Sequence, residues 1–279
     1  MSRRCSTLPW LTQVHSSERP WDGTPHVTQL IQGTMEAFLR ITEPYATDPI
    51  GPSAAFAQLG IAIHMNLEEK SKELGHPAEW SFIDPGILQG SVDYLEPNSD
   101  GSYNMWDYKT WGSYKVAIAK GIIAIKTGTG RARHTTRQYD PKKVDNMEVE
   151  LQMNAYRLAA EKQGIEIRDM FIQAIVRDGN TMVAKNRAVF ESVVVVPVNR
   201  LPDDFVTRYF SLKGEALSRA VATWQRRKDM GDEFKPIPGD AEPIICNDVE
   251  NWKEKKCKEY CNVAYACPVG RKYKLNIHD

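Results

Sequence analysis

Two aspartates and a lysine lie on adjacent predicted strands in the first half of the sequence. Asp93 belongs to the strand-like segment 87–96, and Asp107 and Lys109 belong to the segment 102–111. A turn-rich stretch joins the segments, so a hairpin can bring the carboxylates together. Side chains alternate along a strand, and Asp107 and Lys109 therefore face the same side. Paired carboxylates suit Mg²⁺ or Mn²⁺, and a neighbouring lysine can orient water or stabilise developing charge, as phosphodiester hydrolysis requires.

A D-x-K triplet by itself is common on solvated strand edges, so its surroundings decide how it is interpreted. Four short motifs, one of which contains the triplet, follow one another along the chain. They run from Gly60 to His64, from Gly90 to Asp93, from Asp107 to Thr110 and from Gln152 to Tyr156. The first and the last lie on predicted helices, where residues four apart share one face. Together, the motifs outweigh the alternative in which each residue serves only packing or solubility.

This ordered set resembles the RecB-like branch of the PD-(D/E)XK nucleases, whose motifs are G-x-x-x-H, G-x-x-D, D-Y-K-T and Q-x-x-x-Y. The resemblance extends over roughly residues 53–197. It implies an α/β, restriction-endonuclease-like core, in which helices flank a mixed sheet, and a divalent-metal-dependent DNA nuclease. We expect an exonuclease that acts on DNA ends or single strands. The alternative is a nucleic-acid-binding or assembly module that retains the fold without cleavage.

The same resemblance implies a role for each motif residue. The ion would be Mg²⁺ or Mn²⁺, and its ligands would be His64, Asp93, Asp107 and the backbone carbonyl of Tyr108. The catalytic residues would be Asp93, Asp107, Lys109, Gln152 and Tyr156. Among these, Lys109 would be the catalytic lysine, whereas Gln152 and Tyr156 would hold the DNA backbone or brace the site. Because the acid and the lysine are both present, we favour the enzyme over the binding module.

Four of the five cysteines crowd into the last part of the sequence, at Cys246, Cys257, Cys261 and Cys267. In a cytosolic chain, clustered cysteines indicate a metal more often than a disulfide. Thiolates at such short spacings suit a 4Fe–4S cluster or a structural Zn²⁺, both of which normally take four ligands. The sequence therefore predicts a metal centre in this region.

Similar cysteines follow the nuclease motifs in RecB-like enzymes of the AddB and CRISPR-associated types. Those proteins combine three C-terminal cysteines with one far upstream, a pattern that would select Cys5 as the fourth ligand. The short distance along the chain slightly favours Cys246 instead, and both stay candidates. The usual spacing is C-x2-C-x5-C, whereas three residues separate Cys257 from Cys261 here. That difference keeps zinc open as an alternative to iron–sulfur.

A basic stretch precedes the last nuclease motif. Its cationic residues are Arg131, Arg133, His134, Arg137, Lys142 and Lys143. Charge runs are often only solvated surface, so a soluble linker and a contact with the phosphate backbone explain the stretch equally well.

Hydrophobic periodicity places the motifs on a series of helices and strands. It predicts an amphipathic helix from about Val27 to Ile41, a longer helix from about Ser53 to Leu74, and three strands within 80–110. A helix over 144–163, two strands and a helix over roughly 202–228 follow. This order is typical of an α/β fold with a mixed sheet.

Three regions are expected along the chain. The first is an N-terminal helical segment, 1–52, and the second is the PD-(D/E)XK nuclease core, 53–230. The third, 231–279, is a helical, cysteine-rich and metal-bound C-terminal extension.

The overall charge and hydropathy set few limits on function. Lys plus Arg and Asp plus Glu each number 36, so the net charge is zero, but a local basic groove would suffice for DNA. No stretch approaches the roughly 20 apolar residues of a membrane-spanning helix. The N-terminal region lacks the apolar core of a secretory signal, so we expect a cytoplasmic protein. The expected partners are DNA and proteins of a repair, recombination, phage or CRISPR pathway, without a membrane.

Overall fold

The chain forms a mixed α/β fold. A computed structural model describes residues 7–16, 21–43, 52–84, 88–127, 134–232, 246, 254–261 and 263–274. Within them, helices flank a five-stranded mixed sheet, and two further strands pair separately. Cys5, Arg131 and Arg133 lie outside the described residues.

The helices and strands have the following bounds. The helices are α1 (Leu8–Ser16), α2 (Val27–Gln32), α3 (Thr34–Thr42), α4 (Pro52–Glu73), α5 (Ser113–Ala119), α6 (Met147–Lys162), α7 (Met182–Lys185), α8 (Asp203–Asp229) and α9 (Pro268–Lys274). The strands are β1 (Ala78–Asp84), β2 (Leu88–Pro97), β3 (Tyr103–Trp111), β4 (Ile122–Thr127), β5 (His134–Tyr139), β6 (Ile167–Val176) and β7 (Val193–Pro197). A 3₁₀ turn covers Pro141–Lys143, and a π-helical turn covers Lys256–Tyr260.

The main sheet has the strand order β1-β2-β3-β6-β7, which puts β3 in its centre. Strand β3 is antiparallel to β2 and parallel to β6, and β7 is antiparallel to β6. The β2–β3 hairpin turns through Gly101, whose φ of 87° suits glycine. Register places Asp107 of β3 opposite Ile172 of β6. Strand β3, which contains the D-x-K triplet, is therefore hydrogen-bonded to a neighbouring strand on each side.

Helix α6 covers the central strands β3 and β6. Met153 of this helix, Met105 of β3 and Ile172 of β6 have no exposed surface. Burying an apolar side chain of this size contributes roughly 1.5–3 kcal/mol. The helix is followed by Gly164, whose φ of 80° is typical of a helix C-terminus. Sheet and helix together give the D-x-K strand a rigid support.

The chain divides into two compact units. The first comprises Met1–Gln58, Ser81–Gly90 and Asp203–Asp279, and the second comprises Leu59–Trp80 and Ser91–Pro202. The expected N-terminal segment (1–52) and cysteine extension (231–279) thus belong to one unit, together with α8. Within that unit, α3 packs against α8. None of the helices in the described part of the chain is long and apolar enough to cross a membrane.

Two local features differ from the sequence prediction. The single helix expected from Val27 to Ile41 is divided into α2 and α3 at Gly33, whose backbone (φ 123°, ψ 133°) is not helical. The stretch 112–143, for which no helix or strand was predicted, contains α5 and the antiparallel β4–β5 pair. The β-branched residues at the start of β4 favour a strand, but the basic composition of the following residues led to the interpretation of the stretch as a loop or linker.

Candidate metal site

Three side chains with metal-ligating atoms meet in the second unit. His64 projects from α4, Glu79 from β1 and Asp93 from β2, and one ligand atom of each lies within 4.8 Å of the others. The Nδ1 atom of His64 lies 3.5 Å from Oδ1 of Asp93. One imidazole nitrogen with two carboxylate oxygens suits Mn²⁺ or Mg²⁺, and the imidazole favours Mn²⁺.

Backbone and hydroxyl groups orient these three side chains. The Tyr108 N–H donates to Oδ2 of Asp93 at 2.7 Å, and the Ser91 hydroxyl donates to Oε2 of Glu79. The Tyr108 carbonyl oxygen lies 2.8 Å from Nε2 of His64. Because a carbonyl only accepts, Nε2 carries the proton of the neutral imidazole and Nδ1 keeps its lone pair for a cation. Tyr108, expected as a ligand, therefore also fixes the orientation of His64 and Asp93.

A buried ion pair lies on the neighbouring strand. The Nζ atom of Lys109 is 2.7 Å from Oδ2 of Asp107, whose side chain is only 2% exposed. The amide of Gln152 donates to Oδ1 of the same carboxylate at 2.9 Å. Both oxygens of Asp107 therefore have a partner, and the lysine is held within reach of the site.

Burial and the surrounding charges shift the pKa values of these groups. Burial raises the pKa of Asp107 to about 6, although the Lys109 ammonium opposes this. Burial lowers the pKa of Lys109, but attraction to Asp107 and Asp93 outweighs it and leaves the pKa above its usual value. Burial likewise lowers the pKa of His64, and bonding to Asp93 more than reverses the effect. Lys109 is consequently an ammonium at neutral pH, whereas the pKa of Asp107 is about 6 and that of His64 lies above its usual value.

Helix α6 supplies the braces of the acid–lysine pair. Besides bonding Asp107, the Gln152 amide lies 3.1 Å from the hydroxyl of Tyr156, one turn along the helix. Both side chains are buried. These contacts are of the kind expected for a brace of the site, and the other expected role, holding DNA, stays a prediction.

The motif residues thus come together as two adjoining groups. His64, Asp93 and the Tyr108 backbone form one, and the other is formed by Asp107, Lys109, Gln152 and Tyr156. Since Tyr108, whose N–H bonds Asp93, stands between Asp107 and Lys109 on β3, the groups are neighbours. Glu79 was not foreseen from the sequence. It belongs to no motif, and its only signal was an acid at the start of the strand preceding Asp93.

The first unit holds the four clustered cysteines around one pocket. The pocket is lined by Met35, Glu36, Leu39, Cys246, Cys257, Cys261, Val263, Cys267, Val269 and Gly270. The cysteines are free thiols, and Cys257 is the most deeply buried. Gly270 allows the start of α9 to lie close to the backbone at Ala264, because a Cβ at this position would lie 2.7 Å from the Ala264 carbonyl oxygen. Of the two candidates for the fourth ligand, Cys246 therefore lies with the other three.

Charges beside this pocket are already paired. Glu36, which is 4% exposed, contacts Lys256 at 2.7 Å and Arg40 at 2.8 Å. Burial raises the pKa of Cys261 to about 12 and the pKa values of Cys246 and Cys257 above their usual range. A cation bound by these sulfurs must therefore displace protons. Thiols are the donor type that iron–sulfur clusters and structural zinc ions take. Among the described residues, however, no three of these sulfurs are grouped within 4.8 Å of one another, as His64, Glu79 and Asp93 are.

Comparison with known proteins supports the fold. Neither a protein-family model nor a curated protein matches the chain. Among solved structures, the crystal structure of SSO0001 is similar, with a TM-score of 0.51 and 15% sequence identity. The match covers 94% of this chain and 95% of that one. At this identity the similarity concerns the α/β fold, which the two chains share over nearly their whole length.

Proposed function

We propose that the chain is a divalent-metal-dependent deoxyribonuclease with a RecB-like PD-(D/E)XK core. One observation carries the proposal: the histidine and aspartate from two separate motifs meet at a potential cation site, beside the buried acid–lysine pair of a third. A fourth motif supports that pair through Gln152. A structural ion pair alone would not account for the imidazole and two carboxylates beside it, whose ligand atoms lie within 4.8 Å of one another.

The residues of this site have complementary tasks in hydrolysis. Mn²⁺ or Mg²⁺ held by His64, Glu79 and Asp93, with Asp107 and the Tyr108 carbonyl as the further ligands expected from the motifs, would polarise the scissile phosphate and supply an activated water. Lys109 keeps its proton, and its ammonium would stabilise the negative charge that develops on the phosphate oxygens. Gln152 holds the Asp107 carboxylate in place, so that the position of Asp107 relative to Lys109 stays fixed. The proposed substrate is DNA with free ends or single strands, hydrolysed at its phosphodiester bonds.

Substitutions in the ion pair test the activity. We expect Asp107→Ala and Lys109→Ala each to lower the cleavage rate of labelled DNA with Mn²⁺ by at least about 100-fold, because each removes charge that the transition state needs. Circular dichroism should show that the fold is retained. Asp169→Ala, an exposed acid on β6, is the matched control and should cleave normally. Cleavage by either site variant at near the parent rate would refute the assignment.

Calorimetry separates the enzyme from a binding module that retains the fold. The enzyme should bind Mn²⁺ in a titration, and Asp93→Ala should weaken that binding strongly. A parent protein that binds single-stranded DNA but neither binds Mn²⁺ nor cleaves would instead be the binding module.

For the cysteine pocket, we propose a 4Fe–4S cluster, with structural Zn²⁺ as the alternative. The supporting observation is that Cys246, Cys257, Cys261 and Cys267 line one apolar pocket as free thiols. Elemental analysis of anaerobically purified protein decides between iron with sulfide and about one zinc. Finding neither metal would refute both.

A further inference from the structure

We propose that the end of β3 and the start of α5 form a surface that binds single-stranded DNA. The proposal rests on the nuclease function above and specifies its substrate. The surface consists of two aromatic and three cationic residues: Trp111, Tyr114, Lys115, Arg177 and Arg187. All five belong to the second unit.

The surface begins beside the catalytic lysine. Trp111 follows Lys109 by two residues on β3, so both face the same side of the sheet, about 7 Å apart along the strand. The ammonium of Lys115 lies 5.7 Å from the centroid of the Trp111 ring. A strand leaving the cleavage site along this face would therefore meet an aromatic ring with a cation over it.

A second pair of an aromatic ring and a cation, Tyr114 with Arg187, lies three residues further along the chain. Tyr114 is 59% exposed, and the guanidinium of Arg187 lies 5.7 Å from its ring centroid. Arg187 also donates to the Ser113 hydroxyl at 2.9 Å, while the N–H and hydroxyl of Ser113 both donate to Asp178 at 2.6 Å. These bonds fix the start of α5, so the tyrosine ring is presented from a rigid support.

The strand topology brings a third cation to the same edge. Because β3 and β6 are parallel, their carboxyl ends coincide, and the Arg177 N–H donates to the Trp111 carbonyl at 2.8 Å. The exposed Arg177 side chain passes Gly112, where a Cβ would lie 3.6 Å from Nη2. Of the three cations, Arg187 pairs with Asp178 at 3.6 Å and Arg177 lies near the same acid, whereas Lys115 lies over Trp111. The positive charge of these cations is complementary to a phosphate backbone.

The combination of rings and cations favours a single strand over a duplex. Unpaired bases can stack on exposed aromatic rings while neighbouring cations follow the backbone, whereas a duplex keeps its base faces covered. Phosphate contacts alone would not need Trp111 and Tyr114. The occupant assigned to this surface is therefore single-stranded DNA.

Fluorescence anisotropy with labelled oligothymidylate tests the surface in EDTA, where binding does not depend on the metal site. We expect Tyr114→Ala to weaken binding roughly tenfold, and Tyr114→Phe to bind like the parent, since stacking needs only the ring. Lys115→Ala should reduce the slope of log affinity against log salt by about 0.7, the value for one phosphate contact on a single strand. Phe205→Ala, an exposed aromatic residue of α8, is the control and should bind normally.

The results separate this proposal from the nuclease assignment. Unchanged binding by Tyr114→Ala, or an equal loss toward blunt duplex DNA, would overturn the single-strand surface even if Asp107→Ala abolishes cleavage. Conversely, Asp107→Ala should still bind oligothymidylate. If that variant cleaves normally while Tyr114→Ala binds poorly, the surface stands and the nuclease site is wrong.

Discussion

Glu79 reaches the metal site from a backbone conformation that is uncommon for any residue except glycine. Its φ is 49°, in the left-handed region, where a side chain costs roughly 1–2 kcal/mol. Strained residues of this kind cluster at functional sites. The Glu79 carboxylate lies within 4.8 Å of the ligand atoms of His64 and Asp93, so this uncommon backbone conformation occurs at the candidate metal site.

Removing the Glu79 charge should weaken the metal site without disturbing the fold. We expect Glu79→Gln to lower Mn²⁺ affinity at least tenfold, because a neutral amide is a poorer ligand than a carboxylate. Calorimetric titration measures the affinity, with thermal unfolding of the metal-free protein recorded in parallel. Glu69→Gln, an exposed acid on α4, is the control. Parent-like affinity in Glu79→Gln would remove this residue from the ligand set.

Metal affinity should also depend on pH through Asp107 and His64. Both pKa values are raised, to about 6 for Asp107, and a cation requires the carboxylate ionised and the imidazole neutral. Protons therefore compete with the metal as the pH falls, first at His64 and, below about pH 6, at Asp107 as well, and each proton displaced contributes a drop in affinity of about tenfold per pH unit. Titrations between about pH 5 and pH 8 would show this, with proton release on binding. A constant affinity over that range would contradict it.

At the scale of elements, α6 sets the geometry of the ion pair through one hydrogen bond. Gln152→Leu should keep the fold, since the side chains have similar volume, but leave Asp107 with one donor fewer. Losing a bond to the ionised form raises the pKa of Asp107 further, so the acid limb of the cleavage profile should move to higher pH. Gln163→Leu at the exposed helix end is the control. An unshifted acid limb would mean that Gln152 does not act through Asp107.

Helix α6 and the residues around it show which parts of the fold and of the candidate site could be predicted from the sequence. Helix α6 was predicted at 144–163 and found at Met147–Lys162, because its apolar period and following glycine are local signals. The motif residues could likewise be found from the sequence, because each motif is defined by the spacing of a few neighbouring residues. Glu79 could not be found this way, since its position depends on the pairing of β1 with β2 and on a backbone angle. The break at Gly33 and the β4–β5 pair depend in the same way on tertiary context.

At the scale of the whole molecule, the cysteine pocket connects segments that are distant in the sequence. Its lining comes from α3 and from residues after 245. We expect Cys257→Ser to lose the metal proposed for this pocket and to speed amide hydrogen exchange in α3 and the π-helical turn, because metal binding stabilises only the folded arrangement of its ligands. Exchange in α6 should stay unchanged. Ser71→Ala, a small buried residue of the second unit, is the control. Equal acceleration in both units would mean that they unfold together.

The interleaving of the units has a consequence for folding during synthesis. The second unit ends at Pro202, whereas the first requires Asp203–Asp279. At about 5–20 residues per second, a ribosome needs on the order of ten seconds to make that last part. The helices α2 and α3 are made first, yet they must wait for α8 as a packing partner. A nascent chain arrested before residue 246 would thus hold every residue of the candidate metal site and none of the four cysteines that line the pocket.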